Sequence, residues 1–155
     1  MLEACKLEQV RDYVKPFNLM VEGFNPGWWR DRAGRVGDYP NVELLSFVDA
    51  GEEVARAETD TAATLYDRYV GLSAPRVVTE VRFIEVRADL RGRGIGSSIV
   101  KLLEERYRDE TMFAFSEGAD RFWVHANWKY YSRVDGDTRF LRPLFLRHPS
   151  AVVKS

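Results

Sequence analysis

Cysteine is nearly missing from this chain: its 155 residues include one, Cys5. An intramolecular disulfide is thereby excluded. With only two histidines, His125 and His148, no Cys/His set has the spacing of a zinc site, and no metal is expected. Cys5 itself reads as a small buried hydrophobe. No apolar run approaches the ~20 residues that a membrane span needs. The opening Met1-Leu2-Glu3-Ala4-Cys5-Lys6 has an early acid and lacks the apolar stretch of a secretory signal, so a cytoplasmic location away from membranes is expected. Net charge is almost absent as well: 23 Lys and Arg against 24 Asp and Glu leave −1. No global positive field or block of like charges is available to attract nucleic acid or anionic lipid.

What is present suits one domain over residues 1–155 with one core. Hydrophobic residues at 45% and charged ones at 30% are an ordinary globular balance. Leu2 to Lys6 reads as a first strand. Val10, Tyr13, Val14 and Phe17 recur on one helical face, which Pro16 should end or kink. Four glycines and two prolines between Gly23 and Pro40 predict a long loop. Asn41 to Asp49 and Glu53 to Glu58 read as a hairpin about Ala50-Gly51-Glu52. Thr61 to Pro75 reads as loop, with one helical turn near Leu65 to Tyr69. Val77 to Arg87 is a long β-rich run. Ser97 to Arg108 has a broad apolar helical face, and Thr111 to Phe115 is a short strand. Glu117 to Trp128 reads as a second helix, and Leu141 to Leu146 as a closing strand. Arg133-Val134-Asp135-Gly136-Asp137 is a polar turn without the rest of a calcium pattern. The order predicts an α/β fold with a mixed sheet.

The segment with most chemistry is Arg91-Gly92-Arg93-Gly94-Ile95-Gly96, between a strand and a helix. Successive N–H groups there can point at an anion, and the helix start adds about half a positive charge. Gly94 and Gly96 leave the backbone approachable, and Arg91 and Arg93 offer charge-assisted contacts. The third glycine is misplaced for a dinucleotide turn, and the Lys-Ser/Thr of a P-loop is missing. A purely structural glycine loop is the remaining alternative.

Val86 to Gly96 resembles motif A of the GNAT N-acetyltransferase superfamily, Arg/Gln-x-x-Gly-x-Gly/Ala, with Arg91, Gly94 and Gly96 at its three positions. Ser116 to Trp128 is similar to the family's Asn-x-x-Ala-x-x-Phe-Tyr-x-x-x-Gly-Phe segment: Ala119 and Phe122 match, and Trp128 replaces the last aromatic. The resemblance covers Asn41 to Trp128. It implies a central, mostly antiparallel mixed sheet flanked by helices, with strands splayed at the cofactor site, and it implies acetyl-CoA as cofactor. Arg91, Gly92, Arg93, Gly94, Ile95, Gly96 and Ser97 would hold the pyrophosphate. Backbone groups near Ile84, Glu85 and Val86 would meet the pantetheine arm, with Ser116, Phe122 and Trp123 nearby.

Transfer to an amine needs a base. Glu80 and Glu85 are the candidates on the long strand, and Glu80 resembles the base position of the family's histone-modifying branch. Their odd spacing puts them on opposite faces unless a bulge intervenes. The family tyrosine that protonates the leaving thiolate is replaced by Trp123, whose indole lacks useful acidity; Tyr130 is the candidate substitute, with Tyr131 beside it. On the acceptor side, Trp28 and Trp29 either stack on a substrate or plug the core edge, and Asp31, Asp38 and Glu43 are acids able to meet an amine. The leading function is acetyl transfer to a primary amine, on a small molecule or a peptide. A non-catalytic acyl-CoA-binding or interaction module is the alternative, and a nucleic-acid binder a weaker third. Homodimers are common in the family, and nothing in this sequence decides for or against one.

Overall fold

Adjacent residues of the strands feed different cores. In the computed structural model, which describes residues 1–8, 15–30, 40–65, 68–72, 76–136 and 143–149, Leu45 packs with Phe47, Ile99 and Leu103, while its neighbour Leu44 packs with Phe17 and Trp29. Met112 and Ala114 share the first of these cores, and Phe113 between them joins Leu144 and Tyr131 instead. This two-residue period is what a sheet covered on both faces requires.

Seven strands form that sheet: β1 (Glu3–Leu7), β2 (Val42–Asp49), β3 (Glu52–Leu65), β4 (Arg76–Val86), β5 (Met112–Phe115), β6 (Lys129–Tyr131) and β7 (Leu144–Arg147), in the order β1-β2-β3-β4-β5-β7-β6. Among the described residues only the β4–β5 pair is parallel. Helices α2 (Ile95–Arg106) and α3 (Asp120–His125) cover one face, and the segment holding the single-turn α1 (Pro26–Trp29) lies on the other. No helix among the described residues is long and apolar enough to cross a membrane.

Several sequence expectations are corrected. β3 does not stop near Glu58 but runs to Leu65, so the expected loop begins as strand. Its polar Thr-Asp-Thr stretch hides this. Pairing with β4 carries it through two register irregularities, at one of which the Asp60 carboxylate accepts the Ala62 N–H. The second helix is shorter than Glu117 to Trp128: Asn127, at φ 63°, takes a left-handed conformation that ends it, and β6 follows. The expected Gly23–Pro40 loop contains α1, which Asn25 caps by accepting the Gly27 N–H with Pro26 at the first position. Cys5 is exposed rather than buried, since it lies on the edge strand β1. The first expected helix falls largely on residues 9–14, and Asp31 and Asp38 on 31–39; both stretches lie outside the described residues.

Glu43 does not face the acceptor side. It accepts the Tyr107 hydroxyl at 2.5 Å, with Arg106 and Lys6 alongside, while Thr59 Oγ1 meets the same hydroxyl at 2.8 Å. Burial, and then the adjacent Glu43 carboxylate, pushes the Tyr107 phenol up to about 12. Burial also opposes charge on Glu43, but hydrogen bonds from Tyr107 and Arg106 outweigh it and hold the carboxyl below its ordinary value. The tyrosine is raised in the folded state, so its contribution is complete below the unfolded value near 10 and is lost as pH rises towards 12. Thermal melts across that window should show a steep fall in Tm for the wild type and a shallower one for Tyr107→Phe. Parallel slopes would exclude Tyr107 as the source.

Candidate active site

β4 and β5 pair only at Thr79 with Met112 and Glu80 with Phe113. Beyond Glu80, β4 continues to Val86 while β5 continues to Phe115 against β7. The two strands therefore part into a fork, open at the carboxyl end of β4. A bulge helps to create it: Thr59 pairs with Val81 and Glu58 with Phe83, leaving Arg82 as the extra residue. The same bulge changes the side-chain phase. Val81 packs on the α2 face and Phe83 on the α1 face, and the alternation on either side places Glu80 and Glu85 both on the α1 face.

At the mouth of the fork lies a cleft of about 600 Å³, lined by Ile84, Glu85 and Val86 of β4, Leu90, Arg91, Gly92, Gly94, Ile95, Gly96 and Ser97 of the turn and helix start, Ala119, Phe122 and Trp123 about α3, and Trp28 of α1. The turn follows a 3-10 segment, Ala88–Leu90. Gly94 caps α2 at φ 79°, left-handed backbone that disfavours any side chain. No side chain caps this helix and no acid occupies its first turn. Among the described residues, no hydrogen bond uses the backbone N–H of Gly92, Arg93, Gly94, Ile95, Gly96 or Ser97 as donor. Those amides are free for an anion, and the residues fit a diphosphate.

Gly96 has a different reason from the one its motif suggests. A Cβ there would sit 2.9 Å from the Phe122 ring, so this glycine admits the aromatic wall of the cleft. Two acids flank the turn: Glu85, which lines the cleft, and exposed Asp89, which precedes the turn and lies outside the lining. Arg87 pairs with Asp89 through Nε and Nη2, at 2.7 and 3.1 Å, and that pairing holds the Asp89 carboxyl below the ordinary value. Arg93 is exposed and outside the cleft lining.

The other sequence candidates separate. Trp28 reaches the cleft, whereas Trp29 is buried against Phe17 and is a core plug. Ser116 is buried and accepts the Ala119 N–H, bracing the turn into α3 rather than lining the cleft. Trp123 lines the cleft and packs on Trp128 at a centroid distance of 4.6 Å. Tyr130 is half exposed on β6, its ring on Phe145, two strands removed from β5 and outside the cleft lining. Glu80 is half-buried at the vertex of the fork. Leu90 and Asn25 were not anticipated from the sequence, and Ala119 was read as a motif match without a place on the cleft; for Asn25 the signal was available, as an Asn-Pro pair heading a Trp-Trp turn is a helix start.

A forked sheet with unengaged amides at a helix start and an aromatic-walled cleft defines an α/β protein with a cleft shaped for an anionic, extended ligand. The sequence matches the model of the acetyltransferase (GNAT) family over residues 43–134, and the chain belongs to that family. Acyl transfer from acetyl-CoA is the chemistry of that family. Solved structures agree on the fold. A crystal structure described as a bacterial toxin is 15% identical, covering 94% of this chain and 89% of its own, with a TM-score of 0.59. The Bacillus subtilis N-acetyltransferase YlbP, in complex with coenzyme A, is 16% identical, covering 68% and 67%, with a TM-score of 0.52. Aminoglycoside acetyltransferase AAC(6')-Ib, also with coenzyme A, is 16% identical, covering 72% and 68%, with a TM-score of 0.51. A search of curated protein sequences gives no match.

Proposed function

We propose that this protein moves an acetyl group directly to a primary amine, with the amides of Gly92 to Ser97 holding the pyrophosphate of acetyl-CoA. The observation that carries this reading is the row of unengaged N–H donors at the open end of the β4–β5 fork. Bound acetyl-CoA supplies an acetyl group activated as a thioester. Arg91, on the rim of the cleft, adds a cation beside the helix start. The backbone of β4 between Val81 and Val86 has no β5 partner and can donate to an extended arm as an added strand would.

Glu80 is the proton acceptor in this reading. It stands where the two strands separate, on the same face as Phe83 and α1, so an amine entering from that side meets a carboxylate at the vertex. Thiol release from acetyl-CoA across an amine panel measures the reaction. Glu80→Gln should lower kcat/KM by about 100-fold or more and remove the limb of the pH profile that reports the base. An unchanged rate at every pH removes Glu80 from the mechanism.

Trp123, standing where the family has a tyrosine, motivates a second reading in which the fold binds the cofactor without turning it over. Saturable binding of acetyl-CoA with no thiol release from any amine would favour that reading.

A further inference from the structure

Glu85 touches both sides of the site. Its side chain is only 9% exposed. Oε1 accepts the Asn25 N–H at 2.7 Å and the Trp29 indole Nε1–H at 2.9 Å. Those donors stand at the two ends of α1, a four-residue turn far too short to hold itself together. Trp28, which walls the cleft, lies between them. The other oxygen, Oε2, is 3.4 Å from Nη2 of Arg91, whose Nε donates to the Val86 carbonyl at 3.1 Å. One carboxylate therefore grips the acceptor-side wall with one oxygen and meets the arginine of the anion turn with the other. The adjoining backbone reinforces the seam, since Ala88 N–H donates to Gly23 C=O at 2.9 Å.

We propose that Glu85 is a positioning residue that seats α1 on β4 and transmits occupancy of the anion turn, through Arg91, to the Trp28–Trp29 wall. The transmission rests on the turn being the cofactor's cradle; the seating does not. An anion at the turn draws on the same guanidinium that Glu85 holds at the long end of hydrogen-bond range, so its arrival alters the carboxylate that carries the Trp29 indole. A glutamine can still accept both N–H donors with its single carbonyl oxygen, but its amide cannot accept from Arg91.

The test follows the Trp29 indole N–H by NMR on tryptophan-labelled protein, its resonance assigned with Trp29→Phe, in wild type, Glu85→Gln and Glu85→Ala, with and without coenzyme A. Seating predicts that exchange of this proton with solvent quickens at least about tenfold in Glu85→Ala and stays near wild type in Glu85→Gln. Transmission predicts that coenzyme A shifts the resonance in wild type, and by less than half as much in Glu85→Gln at saturation. Unaltered exchange in Glu85→Ala overturns seating. Equal shifts in wild type and Glu85→Gln overturn transmission. If coenzyme A raises the Tm of none of the three proteins, the cradle reading and transmission fall together, and the exchange result still decides seating.

Discussion

Gly94→Asp is expected to weaken acetyl-CoA binding at least about 100-fold, because a like charge placed against a bound anion costs several kcal/mol and each 1.4 kcal/mol is a factor of ten. Two effects meet at this position and can be separated. Gly94 has φ 79°, so any side chain there strains the backbone by about 1–2 kcal/mol. That strain acts on free and bound protein alike, and it should appear as a lower Tm without ligand. The charge acts only when an anion is present. A Cβ on Gly94 meets no protein atom within 4 Å, so packing does not confuse the comparison. Gly94→Ala therefore isolates the strain and Gly94→Asp adds the charge. Calorimetric titration with acetyl-CoA should give a much larger loss for aspartate than for alanine. Equal Kd values for the two variants would mean that no anion comes close to the start of α2, and the acetyltransferase reading would lose its cofactor site here. Gly96→Ala should behave in a third way, since its Cβ collides with Phe122 and moves an aromatic wall.

The parts of this site that could be read from the sequence are those in which one short segment does all the work. The Arg91 to Gly96 turn carries its own backbone conformation and its own donors, so its chemistry survives without knowledge of the fold. The same holds for α2, whose apolar stripe is local. Features made by two distant segments were hidden. The bulge at Arg82 exists because Glu58 and Thr59 of β3 skip a residue opposite it, and nothing in Val81-Arg82-Phe83 announces that. Without the bulge, Glu80 and Glu85 belong to opposite faces; with it they share one. The 14-residue length of β3 depends on β4 pairing with a stretch whose composition argues for loop. Trp29 and Glu85 are fifty-six positions apart, and their hydrogen bond turns one of two adjacent tryptophans into a plug while leaving the other on the cleft.

Arg56→Ala is expected to cost about 3 kcal/mol or more, which in a chain of this size lowers Tm by roughly 6–12 °C. Arg56 is buried on the α1 face. Its guanidinium pairs with Glu53 through Nε and Nη2 at 2.9 and 2.7 Å, and donates to the Asn18 carbonyl at 3.0 Å. The rings of Phe17 and Phe24 lie 4.8 and 4.1 Å from it. Removing it strands the Glu53 carboxylate in a poorly solvated place, where the Ser46 hydroxyl is its remaining side-chain partner among the described residues. Most of the loss then comes from an uncompensated charge rather than from the missing attraction. Replacing both partners with apolar residues, Glu53→Leu with Arg56→Met, should restore much of the Tm. It should not restore the hold on residues 17–24, because methionine cannot donate to the Asn18 carbonyl. The double variant is therefore expected to be nearly as stable as wild type yet to have faster amide exchange between Asn18 and Phe24. If both variants were equally unstable, the guanidinium's own bonds and ring contacts would carry the energy. If exchange in that stretch were unchanged, the acceptor-side segment would be held by the apolar cluster of Phe17, Trp29 and Leu44 and by the Glu85 and Ala88 hydrogen bonds, without help from Arg56.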